Sequence, residues 1–181
     1  LINDLDLASK LEYNMQPLSM KQENAVAIVR QVVVDFMNMD IEQRYPIQWE
    51  TPEDLNVCLI RADRELLMRA VSNLIQNSMN HNEEGCTIYV SVTETEKNCE
   101  ICVEDDGRGV TDEELKKLTA APHYMVCDSS ATEQRHGLGL LIVRQIARSH
   151  GGRIVISHGS HNGFGVRIIL PGEGKPPAQR D

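Results

Sequence analysis

Amide and imidazole side chains recur along one predicted helix of this 181-residue sequence. They are Asn73, Asn77, Asn80 and His81. Their spacing places them on a single helical face, opposite the leucines. Such residues are poor helix formers, and charged side chains would solvate a surface face better. An asparagine carbonyl oxygen suits Mg²⁺, which takes one or two protein oxygens and keeps its waters and nucleotide phosphates. We interpret this face as a site for a hard cation and phosphate, the alternative being a solvated surface.

A carboxylate stands where a predicted strand ends, within the pattern Asp105-x-Gly107-x-Gly109. Because strand residues alternate between faces, Asp105 shares the inward face with Ile101 and Val103. A buried carboxylate needs hydrogen-bond donors, and the exocyclic amine of adenine is a suitable one. The two glycines allow the backbone to approach a ring closely. We include the following residue, Val110, in the predicted base-binding segment, although an ordinary strand-to-helix turn would also explain the pattern.

A third segment bears two glycines, and it is predicted to be a loop that runs directly into a helix. It consists of Arg135, His136, Gly137, Leu138, Gly139 and Leu140. A helix start offers free N–H groups and the positive end of the helix dipole, which together hold phosphates. Arg135 could supply a cation to the phosphates, whereas His136 is either a cationic contact or part of a neighbouring lid. The sequence contains no Walker loop.

The order and spacing of these segments resemble the N, G1 and G2 boxes of sensor histidine kinases. Residues 40–171 resemble the ATP-binding domain that these kinases share with gyrase, mismatch-repair ATPases and a heat-shock chaperone. Residues 1–39 resemble the end of the dimerisation and phosphoacceptor helices, and residues 172–181 are predicted to be a disordered tail. The resemblance implies an α+β fold of Bergerat type. Its two-layer α/β sandwich has a mixed, mostly antiparallel sheet with helices on one face.

The resemblance also implies roles for individual residues. Asn77 would coordinate Mg²⁺, Asn73 would help to orient phosphate or metal-bound water, and Asp105 would read the adenine amine. Residues 119–136 would form a lid. The remaining nucleotide contacts would be Asn80, His81, Gly107, Gly109, Val110, Arg135, His136, Gly137, Leu138, Gly139 and Leu140.

The implied activity is that of a protein-histidine kinase that uses ATP and Mg²⁺. The γ-phosphoryl group would pass to a histidine outside this chain and then to an aspartate of a response-regulator receiver domain. The parent protein would be a homodimer through its N-terminal helices. It would lie in the cytoplasm, with any membrane attachment in segments upstream of Leu1, because the helical pattern is already under way at that residue.

Two alternatives stay open, and departures from the family pattern support the first of them. The family usually has Lys or Arg at the position of Asn80, and its lid is rich in phenylalanine, whereas the only phenylalanines here are Phe36 and Phe164. A degenerate, non-catalytic dimerisation and signalling module is therefore one alternative. The other is a hydrolysing ATPase of the same superfamily. Such enzymes carry a general-base Glu at the position of Asn73, and an amide cannot accept that proton.

Hydrophobic periodicity predicts the elements that must position these segments. A helix over 1–16 carries an apolar stripe for pairing with a second copy, formed by Leu1, Leu5, Ala8, Leu11 and Met15. Ser19 and Gln22 are predicted to be the capping box of a second helix that runs to about Met37. Further helices are predicted over 64–81, 112–118 and 138–150. Strands are predicted over 45–49, 56–61, 88–92, 99–104, 153–158 and 166–170.

Composition limits the partners of this chain. It has 18 basic and 27 acidic residues, giving a net charge of −9, which argues against a nucleic-acid backbone or an anionic membrane as the main partner. Five cysteines in a chain of this size indicate free thiols in a reducing compartment. Cys99 and Cys102 are predicted to point to opposite faces of one strand, and no zinc-ligand spacing is present.

Overall fold

A computed structural model describes residues 2–40, 42–120 and 131–173, with side-chain environments given from residue 4 and, in the last segment, from residue 139. The helices are α1 (Ile2–Glu12), α2 (Ala25–Met39), α3 (Arg64–His81), α4 (Asp112–Ala120) and α5 (Ala131–Ser149). The strands are β1 (Lys21–Asn24), β2 (Ile47–Trp49), β3 (Leu59–Ala62), β4 (Ile88–Glu94), β5 (Asn98–Asp105), β6 (Arg153–Ser157) and β7 (Gly165–Pro171).

Five of the strands form one sheet in the order β2-β4-β5-β7-β6, in which only the β2–β4 pair is parallel. Strands β1 and β3 form a separate antiparallel pair. The predicted α+β class and the mixed, mostly antiparallel sheet are therefore confirmed. The β6–β7 pair is the predicted hairpin, and its turn lies next to the end of β5.

One face of the five-stranded sheet carries the core. Alternating residues of β4 and β5, such as Ile88, Val90 and Ile101, are fully buried. Helices α2, α3 and α5 pack against this face through buried residues that include Val29 and Leu67. Each such side chain contributes about 1.5–3 kcal/mol by leaving water. The helical layer is thereby fixed over the sheet, as predicted.

The N-terminal segments differ from their predictions. Residues Lys21–Asn24 form β1 instead of the start of a helix, and the N-cap of α2 is Asn24, not Ser19. The Asn24 side chain accepts hydrogen bonds from the amides of Val26 and Cys58, so it joins the helix start to the approach to β3. The bond from Cys58 and the pairing of β1 with β3 are non-local and stabilise the strand, whereas a Ser19 capping box would satisfy only local groups.

Helix α1 buries a different stripe from the predicted one. Leu7, Ala8 and Leu11 are buried, and α1 packs against α5. Leu5 is 51% exposed within the helix, and Met15 is 71% exposed because the helix ends before it, at Glu12. The predicted stripe is therefore divided between the core and the surface.

Two other features follow the sequence. Cys99 is fully buried while Cys102 is only partly so, and the cysteines that the structure describes are free thiols. Among the described residues, no helix has both the length and the apolar content required to cross a membrane.

Candidate functional site

A pocket lies between the C-terminal half of α3 and the end of β5. Helix α3 begins at the predicted residue because the Asp63 side chain accepts a hydrogen bond from the amide of Leu66. Its leucines face the core, so polar residues of the opposite face reach the pocket. The lining residues are Asn77, Ser78, His81, Asn82, Asp105, Arg108, Gly109, Val110 and Phe164.

Asn77 is the most enclosed amide of the α3 face, with 7% of its surface exposed. Its amide nitrogen is buried and has no hydrogen-bond partner among the described residues. A buried polar atom of this kind is costly unless a ligand or water satisfies it. In the described part of the chain, no cluster of His, Cys, Asp or Glu could hold a metal ion by itself. The donor set therefore fits a cation such as Mg²⁺ only if phosphate and water supply most of its ligands.

Asp105 is 2% exposed at the end of β5, as the strand periodicity predicts. Its Oδ1 accepts hydrogen bonds from the amides of Gly107, at 3.0 Å, and Phe164, at 3.3 Å. Burial raises the pKa of Asp105 above its ordinary value, and hydrogen bonds from Gly107, Ser78 and Phe164 offset only part of that effect. A buried carboxylate whose pKa is raised in this way would be stabilised by a further hydrogen bond from a neutral donor, such as an amine on a bound ring.

Asn82 holds the glycine-bearing loop that follows β5. Its amide nitrogen donates to the carbonyl of Ser78 at 2.8 Å, and its oxygen accepts from the amide of Arg108 at 3.1 Å. A side chain at Gly107 would overlap the Asn82 amide, so Asn82 keeps its present position only with glycine there. Sequence reasoning did not single out Asn82. Its position directly after α3, at the C-cap, is the signal that could have found it.

The turn between β6 and β7 also lines the site, which sequence reasoning did not predict. A side chain at Gly163 would overlap Asp105, and the amide of Phe164 donates to the Asp105 carboxylate. Phe164 is 8% exposed and forms part of the pocket wall. Because this contact joins residues far apart in the chain, local patterns carry little signal of it beyond the glycine itself.

Two predicted residues of α3 lie outside the pocket lining. Asn80 is exposed, and its side chain accepts a hydrogen bond from Gln76 at 3.0 Å. Asn73 is half-buried one turn before Asn77. By contrast, Asn77, His81, Asp105, Gly109 and Val110 all line the pocket, and Gly107 lies beside it against Asn82.

The segment from Arg135 to Leu140 is helical, so the prediction of a loop before the helix is wrong for this structure. Helix α5 begins at Ala131, well before Gly137 and Gly139. Helix-favouring residues around the glycines compensate for the cost of about 1 kcal/mol that each glycine imposes. Leu140 is a core residue with 4% exposure. A Cβ placed on Gly139 would lie 3.5 Å from Oδ1 of Asn77, so the helix does pass beside the pocket.

The predicted lid over 119–136 is described only at its two ends. Thr119 and Ala120 close α4, and residues 131–136 belong to α5. Both of these ends are helical. Residues 121–130 lie outside the described part of the chain, as do residues 174–181 of the predicted tail.

Comparisons with known proteins agree with this architecture. The chain is 26% identical to the signal transduction histidine-protein kinase BaeS of Escherichia coli, over 90% of this chain and 36% of that protein. It is 25% identical to the sensor histidine kinase YvrG of Bacillus subtilis, over 94% of this chain and 29% of that protein. The chain thus spans about a third of the length of these relatives. Its fold matches that of the Acinetobacter baumannii histidine kinase AdeS, with a TM-score of 0.72 at 20% identity, covering 96% of this chain and 77% of that one.

The sheet and its helices form the Bergerat fold, which solved structures of histidine kinases share. The sequence model of one protein family, the histidine kinase-, DNA gyrase B-, and HSP90-like ATPases, matches residues 62–174. The chain belongs to this family.

Proposed function

We propose that this chain is the ATP-binding catalytic portion of a sensor histidine kinase. It binds Mg·ATP and transfers the γ-phosphoryl group to a histidine outside the chain, for relay to an aspartate of a response-regulator receiver domain. The observation that carries the proposal is the shared pocket of Asp105 and Asn77, which offers a buried carboxylate to a base and a buried amide to phosphate or metal. The names of the relatives in Escherichia coli and Bacillus subtilis support it.

Adenine is proposed to lie against the end of β5. The Asp105 carboxylate accepts from the exocyclic amine, while Gly107, Gly109 and Val110 line the ring. His81 lies on the pocket wall opposite and contacts the nucleotide. Arg108, which sequence reasoning did not single out, also lines the pocket and adds a cation there.

The triphosphate is proposed to extend from the base toward α5. Asn77 holds Mg²⁺ through its amide oxygen, and Asn73 orients phosphate or metal-bound water. When bound, Mg²⁺ neutralises charge on the β- and γ-phosphate oxygens. The segment Arg135–Leu140 wraps the phosphates. Asn80 contacts the nucleotide only if α3 or its neighbours shift on binding.

Transfer to a protein acceptor is favoured over hydrolysis by the residue at position 73. Asn73 cannot take a proton from water, so this chain positions the phosphates without creating a nucleophile. Catalysis then comes from orientation and charge stabilisation, and the acceptor must be brought within reach of the γ-phosphate.

The acceptor and the partners belong to the longer protein. We propose a homodimer through N-terminal helices, a receiver domain as the second partner and a cytoplasmic position for this portion. The division of the chain at residue 39 stays a prediction. Because β1 pairs with β3 and α2 shares the core, we propose α1 alone as the end of the dimerisation helices.

Calorimetric titration with Mg·ATP and Mg·GTP tests the nucleotide part of the proposal. We expect ATP to bind and GTP to bind poorly, because guanine lacks the donor that Asp105 would accept. An unpaired buried group costs about 1–3 kcal/mol, so the difference is measurable. Equal affinities would contradict the role of Asp105, and no binding of either nucleotide would favour a non-catalytic module.

A further inference from the structure

Neighbouring carboxylates at the end of β5 point to opposite faces of the sheet. Asp105 faces the pocket, whereas Glu104 lies on the other face with its side chain 12% exposed. Both are enclosed by the same turn between β6 and β7. Gly163 and Phe164 contact Asp105, and residues earlier in the turn contact Glu104.

One oxygen of Glu104 accepts three hydrogen bonds from the turn. The donors to Oε2 are the backbone amide of Ser160 at 3.0 Å, its hydroxyl at 2.8 Å, and Nδ1 of His161 at 2.9 Å. We name this set of bonds the Glu104 clamp. Burial opposes ionisation of Glu104, but the bonds from His161 and Ser160 outweigh that effect and lower its pKa. The clamp therefore holds a charged carboxylate, for which hydrogen bonds are strongest.

The position of His161 is fixed on two further sides. Its ring stacks on Tyr89 of β4, with centroids 3.5 Å apart and planes inclined by 8°. Its Nε2 lies 3.3 Å from a carboxylate oxygen of Glu50. The turn is thus tied to β5 by Glu104, to β4 by Tyr89 and to the segment after β2 by Glu50.

We propose that Glu104 is a positioning residue for nucleotide recognition, acting through the β6–β7 turn to hold the amide of Phe164 on the Asp105 carboxylate. This inference rests on the proposed binding of a nucleotide at Asp105. Phe164 donates to Oδ1 and its carbonyl accepts from the amide of Asp105, so the turn sets the orientation of the carboxylate that reads the base. Glu104 itself faces away from the pocket and acts only through the turn.

The chain offers a matched control for Glu104 on the same face of the same strand. Glu100 is half-buried on β5, and its carboxylate lies 3.8 Å from Arg167 of β7, away from the turn. The substitutions Glu104→Gln and Glu100→Gln make the same change of charge and size. Only the first weakens the clamp, because an amide is a poorer acceptor for three donors.

The test is calorimetry with Mg·ATP on the parent chain and on each variant, with thermal unfolding measured alongside. We expect Glu104→Gln to weaken binding about three- to tenfold and Glu100→Gln to change it less than about twofold. In an Asp105→Asn background, Glu104→Gln should have almost no further effect, because the two residues act on one contact. The amide resonance of Phe164 in a nitrogen-15 spectrum should shift in Glu104→Gln and stay in place in Glu100→Gln.

Several results would overturn the inference. A folded Glu104→Gln variant with parental affinity for Mg·ATP would do so. Glu104→Gln would also do so if it caused the same loss of affinity in the parent chain and in the Asp105→Asn background. If Glu104→Gln does not fold, Ser160→Ala takes its place, because it removes one donor only. Unchanged affinity for Mg·ATP together with an unmoved Phe164 resonance in that variant would then exclude a role of the clamp in nucleotide binding. A parent chain that binds no Mg·ATP would overturn the proposed function first and this inference with it.

Discussion

The end of β5 and the first half of α5 lie on either side of Asn77 and are held in different ways. Around Asp105, hydrogen bonds join residues distant in the chain. The amide of Arg108 donates to Asn82, and the amide of Phe164 donates to Asp105. The glycine-bearing half of α5 carries the local hydrogen bonds of a helix and packs Leu140 into the core, and a Cβ placed on Gly139 would lie 3.5 Å from Oδ1 of Asn77. We infer that the wall at β5 is preformed, and the proposed wrapping of phosphate by the α5 segment would require that helix to unwind.

The largest effect is expected where the two regions meet. Asn77→Ala should weaken Mg·ATP binding by about 1.5–3 kcal/mol, roughly tenfold or more, because it removes the proposed metal ligand. Gln76→Ala is the matched control on the same helix, since Gln76 is exposed and lies outside the pocket lining. Calorimetry on both variants gives the answer. Equal affinities in Asn77→Ala and the parent would remove Asn77 from the site.

The preformed wall is tested by Asp105→Asn. Loss of the carboxylate that accepts the base amine should cost about 1–3 kcal/mol of ATP affinity. Asp106→Asn should cost little, because Asp106 is exposed and its carboxylate accepts from the amide of Thr87. Competition between ATP and GTP is the measurement. A variant at Asp105 that keeps the parental preference for ATP would show that another group reads the base.

The α5 segment is tested by Gly139→Ala. Alanine favours a helix over glycine by about 1 kcal/mol, and a Cβ at this position would make an ordinary contact, at 3.5 Å, with Asn77. If the helix must unwind to wrap phosphate, the variant should raise the free energy of unfolding and weaken Mg·ATP by a similar amount. Denaturant melts and calorimetry measure the two quantities. A gain in both stability and affinity would mean that the helical form is the binding form.

The smallest effect is expected at the anchored end of α5. His150 is buried, and its Nε2 accepts from the amide of Asp63 at 3.0 Å while Nδ1 lies 2.7 Å from the carbonyl of Ile146. Burial lowers the pKa of His150, and the hydrogen bond to Ile146 and the charge of Asp63 offset only part of that effect. Between that lowered pKa and about 6.5, the unfolded chain therefore binds a proton that the folded chain does not.

The free energy of unfolding should accordingly fall as the pH drops through that window, by up to about 1 kcal/mol per pH unit. Urea melts at about pH 7.5 and about pH 5.5 measure the slope. The substitution His150→Gln should reduce this slope. A slope that survives in His150→Gln would assign the pH dependence to other groups.

The same contrast explains which features the sequence could predict. The polar face of α3 and the burial of Asp105 follow from local periodicity. The helix predicted from residue 112 begins with a capping box, in which Thr111 and Glu114 exchange hydrogen bonds of 2.8 and 3.2 Å. Such features depend on residues a few positions apart, which one sequence displays directly.

The features that were missed depend on long-range contacts. Strand β1 is polar and exists because it pairs with β3, and the Gly163–Phe164 turn reaches Asp105 from more than fifty residues away. The pair of glycines in α5 is ambiguous for another reason. Glycine permits both a helix and a loop, so local sequence alone could not exclude the helix that the structure contains.

We propose that the γ-phosphoryl group passes to a histidine that this chain does not supply. Incubation with γ-labelled ATP tests this transfer most directly. Residues 1–39 contain no histidine, so a separate dimerisation segment that carries one would be added in one arm and omitted in the other. We predict acid-labile label on the added segment and none on the chain itself. Label on the chain alone, or steady phosphate release with no labelled protein, would contradict the account.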